Sequence, residues 1–139
     1  MLILNGNVFI GGRFEKKDIR IENGKFAEFA EPGELCGLEQ DALDATGKYV
    51  IPGLVDVHTH GRTGLDFSKI TEEGLEQLLA SYKTCGITSV LATTMTNELA
   101  VVKKSLRVIG EYIKKQKDAT CDLRAKLLGI HMEGPFLGK

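Results

Sequence analysis

Two of the three histidines in the chain, His58 and His60, stand two residues apart at the end of a predicted strand. Side chains at positions i and i+2 of a strand project from the same face, so both imidazoles can reach one point. Two neutral imidazoles that converge in this way suit a first-row divalent cation. A pair of hydrogen-bonded polar residues at a strand end explains the spacing equally well.

Glu133 favours the metal interpretation, because it ends another predicted parallel strand just before Gly134-Pro135. Ligands of parallel α/β folds gather at the carboxyl ends of the strands. We therefore predict that His58, His60 and Glu133 face one mouth and bind a metal there. The alternative for Glu133 is a helix-capping or solvated carboxylate.

Other polar residues lie near the same predicted mouth. His131 shares a strand face with Glu133, and we expect it to support the ligands or to be a hydrogen-bonded core histidine rather than to bind the metal. Asp56 shares a face with His58, where an inward structural carboxylate is favoured over one that orients a ligand. The hydroxyls of residues 93–96 fit a polar lining or a helix N-cap equally well.

The elements that must position these residues alternate between strand and helix after Tyr49. The patterns predict a buried strand over 51–58, a helix from Thr71 to Gly86, a strand over 87–93, a helix over 97–117 and a strand over 125–132. This order is typical of a parallel sheet with right-handed crossovers. It could begin an open doubly wound sheet or a (β/α)8 barrel. A closed barrel needs about 250 residues, so these 139 residues cannot close one.

The first 48 residues have a different pattern, with short apolar runs separated by turn residues. Asn5-Gly6, Gly11-Gly12 and Asn23-Gly24 predict antiparallel hairpins, and residues 31–46 predict a linker or long loop. We therefore predict two domains, residues 1–48 and residues 49–139.

Composition excludes several classes of function. Lys and Arg number 18 against 19 Asp and Glu, which gives a net charge of −1 and offers no basic surface for nucleic acid or an anionic membrane. The apolar runs are too short for a membrane span and the N-terminus lacks a signal peptide pattern, so we expect a cytoplasmic protein. The phosphate-loop, GxGxxG and GxSxG motifs are absent from the sequence, which removes the usual support for nucleotide-binding and serine-hydrolase functions.

Three stretches carry a resemblance to known enzymes. Residues 50–61, VIPGLVDVHTHG, resemble the first barrel strand of the amidohydrolase superfamily, in which the H-x-H pair binds the catalytic metal. Residues 85–96 and 128–137 are similar to the N-acetylglucosamine-6-phosphate deacetylase family. The resemblance covers essentially the whole chain, and implies an α/β fold made of the first three βα units of a (β/α)8 barrel, preceded by part of a small β-sandwich domain.

The resemblance also implies an activity and its cofactor. The family hydrolyses the acetamide of N-acetylglucosamine 6-phosphate to glucosamine 6-phosphate and acetate. The resemblance implies a cofactor of one or two divalent ions, Zn or Fe. Glu133, in the EGPF-like motif, is then a metal ligand, and His58 and His60 are the H-x-H pair that binds the metal. The resemblance further implies a small amino-sugar phosphate as the substrate and a homodimer as the full-length assembly.

In the family, two further metal-binding histidines, the catalytic aspartate and the phosphate-binding residues lie beyond the position of Lys139. We therefore expect an N-terminal fragment that holds no catalytic acid or base and is inactive alone. Two alternatives stay open: another amidohydrolase, such as a dihydroorotase-like or deaminase-like enzyme, and a truncated relative without catalytic activity.

Overall fold

The computed structural model describes residues 1–35, 41–116 and 123–134 of the chain. The chain divides after Pro52 into two compact units, Met1–Pro52 and Gly53–Lys139. None of the described helices is long and apolar enough to cross a membrane.

The first unit is built on a five-stranded sheet in the order β3-β2-β1-β4, with β5 also paired to β1. Strands β1, β2 and β3 form an antiparallel meander, whereas β4 and β5 run parallel to β1. The strands are β1 (Leu2–Ile10), β2 (Arg13–Glu22), β3 (Lys25–Ala30), β4 (Ala42–Asp44) and β5 (Tyr49–Val50).

The turns of this sheet follow the sequence at two of three predicted positions. Asn23-Gly24 joins β2 to β3 with φ angles of 51° and 72°, as a type I′ hairpin requires. Gly11-Gly12 joins β1 to β2. The turn predicted at Asn5-Gly6 is wrong, because these residues lie inside β1 at a register shift against β2. The predicted linker over 31–46 contains β4, and its residues 36–40 lie outside the described part.

A buried carboxylate stabilises that irregular point of β1. Asp18 is fully buried and accepts hydrogen bonds from the backbone nitrogens of Asn5, at 2.7 Å, and Gly33, at 2.8 Å. Asn5 has a φ of 60°, so its N–H leaves the regular ladder and is donated to Asp18 instead. One side chain therefore holds both the bulge in β1 and the turn at Gly33.

The second unit contains a three-stranded parallel sheet in the order β10-β9-β6. Its strands are β6 (Leu54–Thr59), β9 (Ile87–Thr94) and β10 (Lys126–Met132), and a short hairpin of β7 (Gly61–Arg62) and β8 (Leu65–Asp66) follows β6. Helix α1 (Glu72–Lys83) connects β6 to β9, and α2 (Leu99–Lys115) precedes β10. The predicted mixed α/β fold with alternating strands and helices is confirmed.

The helices begin and pack for identifiable reasons. Thr71 caps α1, since its hydroxyl accepts a hydrogen bond from Gly74 N at 3.1 Å. Apolar residues of both helices, of β9 and β10 and of the segments just before α1 and β10 form one core: Phe67, Ile70, Leu75, Leu78, Leu79, Tyr82, Val90, Ala92, Ile109, Tyr112, Ala125 and Leu127. Helix α2 begins at Leu99 rather than residue 97, and it buries Val102, Ser105, Ile109 and Tyr112.

Strand β6 differs from the prediction of a buried strand over 51–58. It begins at Leu54, because Tyr49–Val50 pairs with β1 in the first unit. Val55 and Val57 are 55% and 59% exposed, whereas a buried strand would have covered both. The physical reason is that β6 is an edge of the described sheet, so its apolar side chains lack neighbours on one side.

Cys85 is free and exposed beyond the end of α1. A hydrogen bond from the Arg62 guanidinium to its sulfur, at 2.9 Å, lowers the pKa of the Cys85 thiol. The other two cysteines, Cys36 and Cys121, lie outside the described residues.

We predict that Asp18→Ala lowers the free energy of unfolding by about 2–4 kcal/mol, because it leaves two backbone N–H groups in the first unit without their acceptor. Asp18→Asn, which keeps one acceptor oxygen, should cost less. Urea denaturation of the chain measures both, with Asp41→Ala at an exposed position as the control. A stability loss at Asp18 no larger than at Asp41 would contradict the assignment.

Candidate metal centre

The three residues predicted as metal ligands lie at the carboxyl ends of two strands. His58 is the penultimate residue of β6, His60 directly follows that strand, and Glu133 directly follows β10. The backbone N–H of Glu133 donates to Thr94 O at 3.2 Å, which extends the pairing of β10 with β9 by one residue. The parallel sheet therefore places all three side chains at the same end of the sheet, where the strands have their carboxyl ends.

The structure brings these side chains together. One ligand atom from each of His58, His60 and Glu133 lies within 4.8 Å of the other two. Glu133 Oε2 is 3.1 Å from His58 Nε2 and 3.3 Å from His60 Nε2. The three side chains are between 36% and 49% exposed, so the cluster is open to a solute.

A backbone contact fixes the tautomer of His60. Its Nδ1 is 3.3 Å from the carbonyl oxygen of Thr93. A carbonyl oxygen only accepts, so Nδ1 carries the proton and, in the neutral ring, Nε2 carries a lone pair. That lone pair faces Glu133 Oε2.

Glu133 Oε2 is itself buried and has no hydrogen-bond partner among the described residues. An unpartnered buried carboxylate oxygen is costly, and here it lies beside two imidazole nitrogens. A cation accepts all three atoms as ligands and removes that cost. The donor set of two imidazole nitrogens and one carboxylate oxygen fits a divalent metal such as zinc.

His131 lies beside the cluster and makes a different contact. Its ring centroid is 4.8 Å from that of His58, and its Nδ1 donates to Val57 O at 3.1 Å. It is not one of the three residues whose ligand atoms converge. Its role in supporting the ligands stays a prediction.

The remaining polar residues near the site bind the backbone of β6. Asp56 Oδ1 accepts a hydrogen bond from His58 N at 3.1 Å, and the hydroxyl of Thr93 accepts one from Thr59 N at 3.1 Å. Thr93 is therefore neither a lining residue nor the cap of α2. The residue at the N-cap of α2 is Glu98, which makes no side-chain cap hydrogen bond.

The sequence analysis did not identify Tyr82 as a residue near the site. The ring is buried, but the hydroxyl is 2.7 Å from Thr59 Oγ1 and so ties α1 to the end of β6. Burial raises the pKa of Tyr82. Only the polar tip of a tyrosine within an apolar stripe could have signalled this contact.

Gly61 allows the chain to fold back directly after His60. Its φ is 140°, and a Cβ added there would clash with the carbonyl of Leu65 in β8. The fold-back is anchored by Phe67 N, which donates to His60 O at 2.9 Å. Glycine is therefore required between the second histidine and the hairpin.

Comparisons with known proteins agree with this geometry. No protein-family model matches the chain. The N-acetylglucosamine-6-phosphate deacetylase of Lysinibacillus sphaericus is 34% identical over 128 residues, which cover 92% of this chain and 31% of that protein. The chain belongs to the N-acetylglucosamine-6-phosphate deacetylase family.

Solved structures with the same description share the fold. The match to the deacetylase from Pasteurella multocida covers 99% of this chain and 35% of that protein's chain, with a TM-score of 0.82 and 24% sequence identity. The match to the deacetylase from Thermotoga maritima covers 100% of this chain and 33% of that protein's chain, with a TM-score of 0.72 and 25% sequence identity. The chain therefore spans about a third of the length of its deacetylase relatives.

Membership of this amidohydrolase family implies a divalent metal. The three converging ligand atoms and the unpartnered oxygen of Glu133 fit such an ion.

We predict that Gly61→Ala lowers the stability of the second unit, because the new methyl group would clash with the Leu65 carbonyl and displace the hairpin next to His60. Gly64→Ala is the matched control, since Gly64 also has a positive φ, of 82°, but an added Cβ there meets nothing within 4 Å. The melting temperatures of both variants are measured, and that of Gly61→Ala should be the lower of the two. Equal melting temperatures would show that the close approach at Gly61 is unimportant.

Proposed function

We propose that this chain forms the metal-binding N-terminal part of an enzyme that hydrolyses the acetamide of N-acetylglucosamine 6-phosphate to glucosamine 6-phosphate and acetate. The observation that carries the proposal is the convergence of His58, His60 and Glu133 in a chain of this family. A relative that kept only a structural role would have no physical reason to place an unpartnered carboxylate oxygen beside two imidazoles.

In this proposal β6, β9 and β10 are the first three strands of a (β/α)8 barrel. Their parallel order, with α1 and α2 as connections, supports this assignment. The chain up to Pro52 then belongs to a small β-sandwich domain and the rest to the barrel. This boundary lies four residues after the predicted one at 48/49, because Tyr49–Val50 pairs with β1 in the first unit. The site then lies at the carboxyl ends of the strands, where barrel enzymes have their active sites.

His58, His60 and Glu133 would hold one or two Zn or Fe ions. A bound divalent cation polarises an amide carbonyl and activates water near neutral pH. The chain contributes the conditions for that binding. The Thr93 carbonyl accepts from Nδ1 of His60, so in the neutral ring Nε2 is the nitrogen with the lone pair, and Glu133 supplies a negative charge that partly offsets the cation.

The substrate class in this proposal is a small amino-sugar phosphate, and the full-length assembly is a homodimer. We assign no catalytic acid or base to these 139 residues and no contact to the phosphate. The role of this chain is to hold the metal and to leave one side of it open, consistent with the partial exposure of all three ligands.

We predict that the purified chain binds Zn²⁺ and that His58→Ala, His60→Ala and Glu133→Gln each weaken binding by more than the roughly 100-fold that loss of a supporting contact costs. Isothermal titration calorimetry measures the affinity. Glu98→Gln is the control, because Glu98 is an exposed carboxylate remote in sequence from the three ligands. Unchanged affinity in all three ligand variants would refute the site.

We also predict that the full-length protein that carries this chain releases acetate from N-acetylglucosamine 6-phosphate, and that the 139-residue chain alone stays at background. Chelation of the metal should abolish the full-length activity, and added Zn²⁺ should restore it. Turnover of a cyclic ureide or a nucleobase in place of the amino sugar would identify a different amidohydrolase. Acetate release by the chain alone would show that its own residues suffice.

A further inference from the structure

The pairing of β6 with β9 is irregular at two points that cancel one another. From Leu54 to Val55 the partner on β9 advances by two residues, from Ile87 to Ser89. From Asp56 to Thr59, a step of three, the partner advances only from Val90 to Ala92. The ladder therefore shifts by one residue and then returns to register at Thr59, next to His60.

Around the second irregularity, side chains bind three backbone groups of β6. Asp56 Oδ1 accepts from His58 N, at 3.1 Å. Thr93 Oγ1 accepts from Thr59 N, and His131 Nδ1 donates to Val57 O, both at 3.1 Å. Because an unpaired backbone group is costly, these side chains stabilise the bulge that carries His58.

Two of the three side chains come from neighbouring strands at the same level. Thr93 on β9 and His131 on β10 are partners in the register of those strands, so they project from the same face of the sheet. Thr93 is fully buried, whereas His131 is exposed. Both reach the same short stretch of β6.

Each of these residues also contacts one ligand histidine. The carbonyl of Thr93 accepts from Nδ1 of His60 at 3.3 Å. The ring of His131 lies against that of His58, with centroids 4.8 Å apart and planes at 79°. Thr93 therefore restrains His60, and His131 restrains His58.

We infer that Thr93 and His131 are positioning residues, which hold the bulge in β6 and thereby aim His60 and His58 at Glu133. This inference rests on the proposed metal site. A slip of one residue along a strand reverses the side on which each side chain projects, so the correct offset decides whether both imidazoles face the carboxylate. His131 acts here through its ring and its Nδ1–H, not as a metal ligand.

The test uses Co²⁺ as the probe, because its visible absorption reports the geometry of its ligands. Thr93→Val removes the hydroxyl that accepts from Thr59 and keeps the carbonyl and the shape of the side chain. His131→Phe keeps a ring beside His58 and removes the donor to Val57. We expect each to weaken Co²⁺ binding about 10–100-fold and to change the absorption spectrum of the bound ion.

The conservative variants distinguish positioning from general stability. Thr93→Ser keeps the hydroxyl and His131→Asn keeps an N–H donor, so both should return the affinity toward that of the wild type. Ser105→Ala is the control, since Ser105 is an equally buried hydroxyl residue on α2, outside the strands that carry the ligands. It should leave the spectrum unchanged.

The outcomes separate this inference from the proposed function. Wild-type chain that binds no Co²⁺ overturns the metal site and this inference with it. Wild-type chain that binds Co²⁺, with His131→Phe and Thr93→Val showing the same affinity and spectrum, overturns only the positioning roles. Because His131 is exposed, the His131→Phe result decides even where Thr93→Val does not fold.

Discussion

A carboxylate oxygen held against two imidazole nitrogens is the constraint on which the second unit depends. Glu133 Oε2 lies 3.1 Å and 3.3 Å from the Nε2 atoms of His58 and His60 and has no hydrogen bond among the described residues. At least one of those nitrogens presents a lone pair when its ring is neutral, since the Thr93 carbonyl accepts a hydrogen bond from Nδ1–H of His60. Lone pairs that face one another are unfavourable without a cation, so the fold must hold these atoms together by other means.

Four features of the surrounding structure hold these atoms together. The parallel sheet brings the ends of β6 and β10 to one edge, and Gly61 turns the chain back after His60. The bulge in β6 and its three side-chain hydrogen bonds fix the direction of the histidines. The hydroxyl of Tyr82 is within hydrogen-bond distance of Thr59, so this core residue of α1 also contacts the end of β6 next to the histidines.

Much of the second unit follows from local sequence patterns, and the departures have physical causes. The cap at Thr71 and the strand–helix alternation depend on short-range chemistry and are found as predicted. Burial of Val55 and Val57 depends on neighbours across an edge, which no local pattern contains. The position of Asn5 inside β1 depends on the buried Asp18, thirteen residues along the chain. The contacts of Thr93 and His131 with β6 likewise arise only once three strands are assembled. Sequence spacing therefore identified the converging residues and His131 beside them, but not the backbone groups of β6 that His131 and Thr93 bind.

The central claim is that His58, His60 and Glu133 share one divalent cation. Anomalous diffraction at the zinc absorption edge, from crystals of the chain grown with Zn²⁺, tests it most directly. The account predicts an anomalous peak about 2.0–2.2 Å from His58 Nε2, His60 Nε2 and a carboxylate oxygen of Glu133. An anomalous peak bound by other residues, with these three side chains free of zinc, would contradict it.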